Sequence, residues 1–298
     1  MAVLSALLLQ KFPLHPLVLV STSCFCVKYI ALPLHASFTA SLDRVVPLSI
    51  RPLYDPQRDA TAVLMGISGL AGYFVMAVCF CTLLDCFPKI TSRYKTQGHR
   101  SYFTGAEWLQ AVAVGVVNLL MFSWFGTIPV WQIHRSHARL ARWDDAMDLS
   151  TAIVHTAIHG IVIDVWFFTT HWILHRPLLY KAIHKFHHRF KAPTAVACTY
   201  ANPVEFSIGN VMGVVLGPAV TNCHPFVAAF WMALSLISTS MSHSGYLALG
   251  ASNHDQHHEH FDYNFGVDVI MDRLCGTRFE GSTRQKAVQA KKLNTKAL

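Results

Sequence analysis

Twenty-five consecutive residues, 60–84 (ATAVLMGISGLAGYFVMAVCFCTLL), carry no charge. A helix of that length rises about 37 Å, enough to cross a hydrocarbon core about 30 Å thick. This stretch reads as a transmembrane helix, with Gly66, Gly69 and Gly72 near one face for close helix packing. Composition agrees. The 298 residues are 53% hydrophobic and 13% charged, with mean hydropathy +0.36, whereas soluble domains run near a quarter charged.

Further apolar segments occupy 109–131, 151–170, 206–220 and 225–242. The last two form either a helical hairpin or two spans. Residues 12–34 are interrupted by Pro13, Pro16, Lys28 and Pro33, and read as one imperfect span or an interfacial segment. Residues 43–59 read as a loop. The net charge of +8 sits in short loops beside apolar segments, which fits membrane topology and excludes nucleic acid as a partner. The basic loops 88–100 and 176–191 fall on the cytosolic side by the positive-inside rule, and the charge-balanced 43–59 and 132–150 fall outside. The eight cysteines lack the C-x₂-C spacing of zinc sites, no N-x-[ST] sequon occurs, and the N-terminus shows no convincing signal-peptide cleavage site. The fold expected is an all-α polytopic membrane bundle of about four to six segments, with a cytosolic histidine-rich cap for two metals. The division expected is a 1–59 N-terminal region, a 60–150 transmembrane hairpin with loops, a 151–280 catalytic domain and a 281–298 basic tail.

Thirteen of the eighteen histidines lie between His155 and His260. They include HWILH (His171, His175), HKFHH (His184, His187, His188) and HDQHH (His254, His257, His258), with His243 and His224 between the second and third boxes. Residues three and four apart share a helix face, so each box can present imidazoles to a metal. Eight imidazoles exceed the four to six ligands of one first-row ion. Two ions are the economical solution, with His243 or His224 completing a shell. The charge bias brings all three boxes to one face. Nitrogen-rich, carboxylate-poor ligation suits iron, zinc, copper or nickel. No H-E-x-x-H occurs and no glutamate adjoins the first two boxes, which weighs against a zinc hydrolase and favours iron with oxygen chemistry on a lipid.

The order HxxxH, HxxHH, HSGY, HxxHH resembles the fatty acid hydroxylase / sterol desaturase superfamily of membrane oxygenases with two irons. The resemblance covers about residues 85–280. FPKITSRYKTQ, HPFVAAFW at 224 and HSGY at 243 resemble the C-4 sterol methyl oxidase branch. It implies an endoplasmic-reticulum enzyme that uses O₂ and two electrons to hydroxylate, oxidise or desaturate a lipid C–H bond. The implied ligands are His171, His175, His184, His187, His188, His254, His257 and His258, with His243 and, as a further candidate, His224. Asp164, within a span, is expected to orient a ligand imidazole from behind. His155 and His159 are too far from His171 to share its metal, and His260 is a candidate supporting residue. Trp172 stands where family members commonly have Arg. No HPGG-type haem motif is present, so cytochrome b5 and its NAD(P)H-dependent reductase are the implied electron donors, with the basic 176–191 segment as a docking surface. The rivals are a desaturase or a sphingoid-base or fatty acid hydroxylase with the same site, and a non-enzymatic membrane metal- or lipid-binding protein.

Overall fold

The computed structural model describes residues 15–37, 56–100, 102–135, 137, 139–267 and 269–296. Helix is the only regular secondary structure among the described residues, with no strand among them. Six helices among the described residues are long and apolar enough to cross a membrane: α1 (Pro16–Ser37), α2 (Thr61–Asp85), α3 (Gly105–Phe122), α4 (Leu149–Leu174), α5 (Pro203–Thr221) and α6 (Pro225–His243). Helix α3 runs on through Ser123–Arg135. The segment 206–242 is therefore two helices of spanning length, and the interrupted N-terminal stretch is one continuous helix. Of the loop expected over 43–59, residues 43–55 lie outside the described residues; from Pro56 the chain is already helical.

Local chemistry sets where these helices begin. Thr104 and Glu107 form a reciprocal capping box at the start of α3. Asp148 accepts from the Thr151 backbone N–H at the start of α4. Asn202 and His224 do the same for α5 and α6, each followed by a proline whose missing N–H needs no partner there. Helix α4 stops at His175–Arg176 because Pro177 disfavours helical backbone in the residue before it. The α5–α6 turn is made by Asn222 in the left-handed region (φ 47°), which asparagine tolerates.

Small residues set how closely the spans cross. A Cβ on Gly72 would lie 2.9 Å from the Ala233 carbonyl of α6, and one on Gly69 would lie 3.0 Å from Met232. Gly213 and Gly217 of α5 meet Trp166 and His159 of α4 in the same way. Gly66 does not share this role, for nothing lies within 4 Å of where its Cβ would stand. Tyr73, Ile237 and Met241 sit at the centre of the resulting core.

Contacts between helix ends fix a common face. Trp108 near the start of α3 donates to Thr82 near the end of α2. Tyr246, just past α6, donates to Asp85 at the end of α2. His184, after α4, reaches Glu205 at the start of α5. The C-terminal ends of α2, α4 and α6 thus meet the N-terminal ends of α3 and α5. At the opposite face, His35 near the end of α1 meets Trp143, which in turn meets His224.

Candidate metal centre

All nine of the imidazoles from the three boxes and His243 converge on that common face. They separate into two groups, His171, His175, His184, His188 and His257 in one, and His187, His243, His254 and His258 in the other. Within each group the nitrogen atoms lie within 4.8 Å of one another. HKFHH forms a 3₁₀ stretch, His184–Arg189, rather than an α-helix. It sends His184 and His188 to the first group and His187 to the second. HDQHH, on α7 (Ser252–His260), divides in mirror fashion: His257 goes to the first group, His254 and His258 to the second. HKFHH and HDQHH are therefore each divided between the two sites, whereas His171 and His175 of HWILH stay together in one.

Backbone carbonyls fix the ring tautomers. A carbonyl only accepts, so the nitrogen facing it carries the proton. His171 Nδ1 donates to the Phe265 carbonyl at 2.7 Å, His187 Nδ1 to Tyr200 at 3.1 Å, and His243 Nδ1 to Thr239 at 2.8 Å. His257 Nδ1 donates to Tyr263 at 2.6 Å and His258 Nδ1 to Phe190 at 3.1 Å. His184 Nδ1 bonds the buried Glu205 carboxyl at 2.8 Å. In the five carbonyl-bound rings the Nε2 lone pair is thereby aimed inward. The Nε2 atoms of His171 and His184 are 3.1 Å apart, and those of His187 and His243 are 3.4 Å apart. With both protons on Nδ1, the His187–His243 pair holds no hydrogen bond. Two acceptors face each other, which is stable only with a cation between them. Two nitrogens bound about 2.1 Å from one ion stand about 3.0–3.4 Å apart at right-angled to tetrahedral geometry. The donor set could hold two metal ions.

The electrostatics favour the ligating form. Burial first, and then neighbouring histidines, hold the imidazoles of His188, His254, His257 and His258 well below the usual histidine range. Burial brings His184 down to about 3, and burial together with His184 brings His175 to about 3. These rings are neutral at physiological pH, as a metal requires. The basic residues of the same segment, Arg176, Lys181, Lys185, Arg189 and Lys191, all face outward.

The supporting shell departs from the sequence expectation at two positions. His224 is not part of either group. It stands at the N-terminus of α6, about 28 Å along the helix from His243, and its Nδ1 accepts the Phe226 backbone N–H. Its lone pair serves as a helix cap. Asp164 stands seven residues before His171, about 10 Å along the axis, and the His171 Nδ1 is held by the Phe265 carbonyl instead. Asp164 accepts the Met271 N–H, and Asp272 binds the N–H groups of Phe265 and Gly266 and the Thr277 hydroxyl. Together these carboxylates brace the loop that presents the Phe265 carbonyl to His171.

Glu205 and Asp272 were not anticipated. For Glu205 the available signal was a lone carboxylate opening an apolar segment. His260 stacks on Phe279 rather than joining the cluster. His159 bonds Thr221 far along α4. Arg176 stacks over Trp172 at 3.5 Å, so the residue that departs from the family pattern carries a cation–π contact at the α4 terminus.

A second brace holds His243. Lys95 is buried and paired with Asp85 at 2.7 Å, with its ammonium over the rings of Tyr102 and Tyr246. Thr96 N–H donates to the Gly245 carbonyl. Burial lowers the Lys95 pKa and the Asp85 charge opposes that shift. The FPKITSRYKTQ segment is thereby tied to the turn that follows His243.

A cavity of about 550 Å³ runs from this face into the spans. His171, His184, His187, His243 and His254 line one end, so both groups border it, and Met65, Val130, Val215 and Met232 line its apolar walls. Its size suits a small-molecule or lipid site.

Residues 156–277 match the fatty acid hydroxylase family model. Over these residues the chain is similar to fatty acid hydroxylase domains. The matched residues include all nine clustered imidazoles. Over 199 residues the chain is 31% identical to human "Fatty acid hydroxylase domain-containing protein 2", covering 64% of this chain and 58% of that protein. Over 162 residues it is 37% identical to "Methylsterol monooxygenase erg25B" of Aspergillus fumigatus, covering 46% and 55%. Over 193 residues it is 28% identical to "Fatty acid hydroxylase ahd1" of Mycosarcoma maydis, covering 64% and 50%. The chain thus spans little more than half the length of these relatives. No solved structure matches it.

Proposed function

We propose that this protein is a membrane oxygenase with two irons that oxidises a lipid C–H bond, with C-4 methyl oxidation of a sterol as its reaction. The observation that carries this reading is the pair of neutral imidazole groups bordering the end of an apolar cavity within the spans. Similarity to methylsterol monooxygenases over the domain supports the sterol branch. The first group would hold one iron through His171, His175, His184, His188 and His257, and the second through His187, His243, His254 and His258. Iron at these sites would supply activation of O₂ with two electrons and two protons, one oxygen entering the C–H bond and the other leaving as water.

The chain's own part is positioning. Carbonyls of Phe265, Tyr200, Thr239, Tyr263 and Phe190 fix five imidazoles, and Glu205 holds His184 from behind, the arrangement that raises ligand basicity. The apolar walls exclude water and align the lipid. The outward basic residues from Arg176 to Lys191 form the docking surface for an acidic electron donor, cytochrome b5 with its reductase. The histidine face is cytosolic and the membrane is that of the endoplasmic reticulum.

Lipid profiling of cells lacking the protein tests the branch. Accumulated 4-methylsterols, restored to normal by the intact protein and not by His187→Ala, are the expected outcome. An unchanged sterol profile with altered hydroxylated fatty acids would instead support the fatty acid hydroxylase reading, to which the similarity with the Mycosarcoma maydis protein points.

A further inference from the structure

Most hydroxyls on the cavity wall are closed onto their own helices. Ser123, Thr127, Thr170, Ser235 and Ser242 each donate to a carbonyl three or four residues earlier. The Asn210 amide on α5 and the Ser238 and Thr239 hydroxyls on α6 also line the cavity, and none of them bonds another described group of the protein. An unpartnered amide inside a span is costly unless something fills its bonds. Asn210 stands five residues after Glu205 and Ser238 five residues before His243. Both lie about 7–8 Å along their helices from the histidine level. The unpartnered polar groups therefore form a tier beside the candidate metal centre, while Met65, Val130 and Val215 line the cavity further away.

The cavity also has a side opening. Helices α2 and α3 approach at Tyr73 and Gly115, where an added Cβ would lie 3.1 Å from the Tyr73 hydroxyl. From there toward the far face both helices line the cavity, α2 with Thr61, Met65 and Gly66 and α3 with Leu119, Leu120 and Ser123. Gly66 and Leu120 are exposed, and no atom lies within 4 Å of a Cβ placed on Gly66. The slit from Tyr73 to Thr61 is about 18 Å long, and it lies within the spanning segments.

We propose that a bilayer-dissolved lipid passes through this slit polar end first, and that Asn210 and Ser238 bind a hydroxyl close to the carbon that reacts, the apolar tail trailing toward the slit. This deepens the proposed function and rests on it for the reaction. The ligand chemistry is a lipid alcohol, of which a 3-hydroxysterol and a long-chain primary alcohol are the two sources.

The test is equilibrium and stopped-flow binding to the full chain in nanodiscs, without O₂ or reductant. The probes are a 4,4-dimethyl-3-hydroxysterol, its 3-deoxy analogue, octadecanol and octadecane. At least one alcohol is expected to bind about tenfold tighter than its deoxy partner, as one or two net hydrogen bonds provide. Asn210→Leu combined with Ser238→Ala is expected to remove that preference and leave deoxy binding unchanged. Gly66→Trp is expected to slow association at least tenfold relative to Gly160→Trp, which sits in equally open space on α4. Which alcohol shows the preference identifies the source. Equal binding of both alcohols and their deoxy partners, or a preference that survives the double variant, would overturn the anchor. Equal association rates for the two tryptophan variants would overturn the slit. Because binding is read without turnover, absence of oxidised product would count against the proposed reaction and leave this inference intact.

Discussion

Histidines gather at both ends of the bundle, and the two sets differ in what their lone pairs face. At one end, carbonyls take the Nδ1 protons of five rings, Glu205 bonds a sixth, and the Nε2 atoms converge on one another. At the other, rings bond singly: His159 to Thr221, His134 to Asn222, His137 to the Ala219 carbonyl, and His224 to the Phe226 N–H, and the buried His159 Nδ1 is left without a partner. Spacing does not separate the sets, since His155 and His159 repeat the H-x₃-H pattern of His171 and His175. The difference lies in the supporting acceptors. A histidine box becomes a candidate metal site where the backbone turns its rings toward one point.

The sharpest way to break this comparison is to delete one ring from each end. His257→Ala or His187→Ala should lower lipid oxidation more than about 10³-fold, because ligands of one centre act as a unit, with loss of bound iron by elemental analysis. His224→Ala should keep its iron and lose only a helix cap, about 1 kcal/mol in thermal or denaturant unfolding. Equal iron loss in both would erase the distinction.

Next in size is Glu205→Gln. It keeps a hydrogen-bond acceptor for His184 and removes the charge behind the ring. Iron affinity should fall about 10–100-fold, as for other residues that hold a metal-bound histidine from behind, read by competition with a chelator.

The metal-free protein should show a smaller, pH-dependent difference. The folded pKa values of His175 and His184 are depressed to about 3, against 6.5 when unfolded. Below pH 6.5 the unfolded chain therefore binds more protons than the folded one. Stability is full above about pH 6.5 and declines as pH falls from there toward 3. His184→Ala should flatten that slope. A slope of the opposite sign in denaturant titrations would contradict the burial of these rings.

The smallest effect is expected at Asp164→Ala. It frees the Met271 N–H and loosens the loop that presents the Phe265 carbonyl. A loss of about 1–2 kcal/mol in stability and a weaker decline in iron affinity than for Glu205→Gln should result.

The spans were legible because twenty uncharged residues carry their own signal, and five of six helices begin and end within a few residues of the apolar segments. The N-terminal helix was ambiguous because Pro16, Lys28 and Pro33 interrupt it, although Pro16 stands in its first turn. The boxes were legible as ligand-spaced histidines. Their division into two groups was not, because it depends on the 3₁₀ backbone of His184–Arg189 and on contacts from residues more than fifty positions apart. Glu205 was hidden by its distance in sequence from His184. His224 was a misleading signal, since the motif HPFVAAFW places a histidine and a proline together for helix capping. An acid within a span marks Asp164, but its partner is a backbone amide in a loop that spacing does not reveal.

The central claim is that nine imidazoles form two adjacent metal sites. Iron-to-protein stoichiometry after anaerobic reconstitution of the full chain in detergent or nanodiscs tests it most directly. Two irons per chain, falling by one or more in both His257→Ala and His187→Ala with the fold retained, is the result expected. One iron per chain in the intact protein, or tightly held zinc alone with no lipid turnover when reductant and O₂ are supplied, would contradict it.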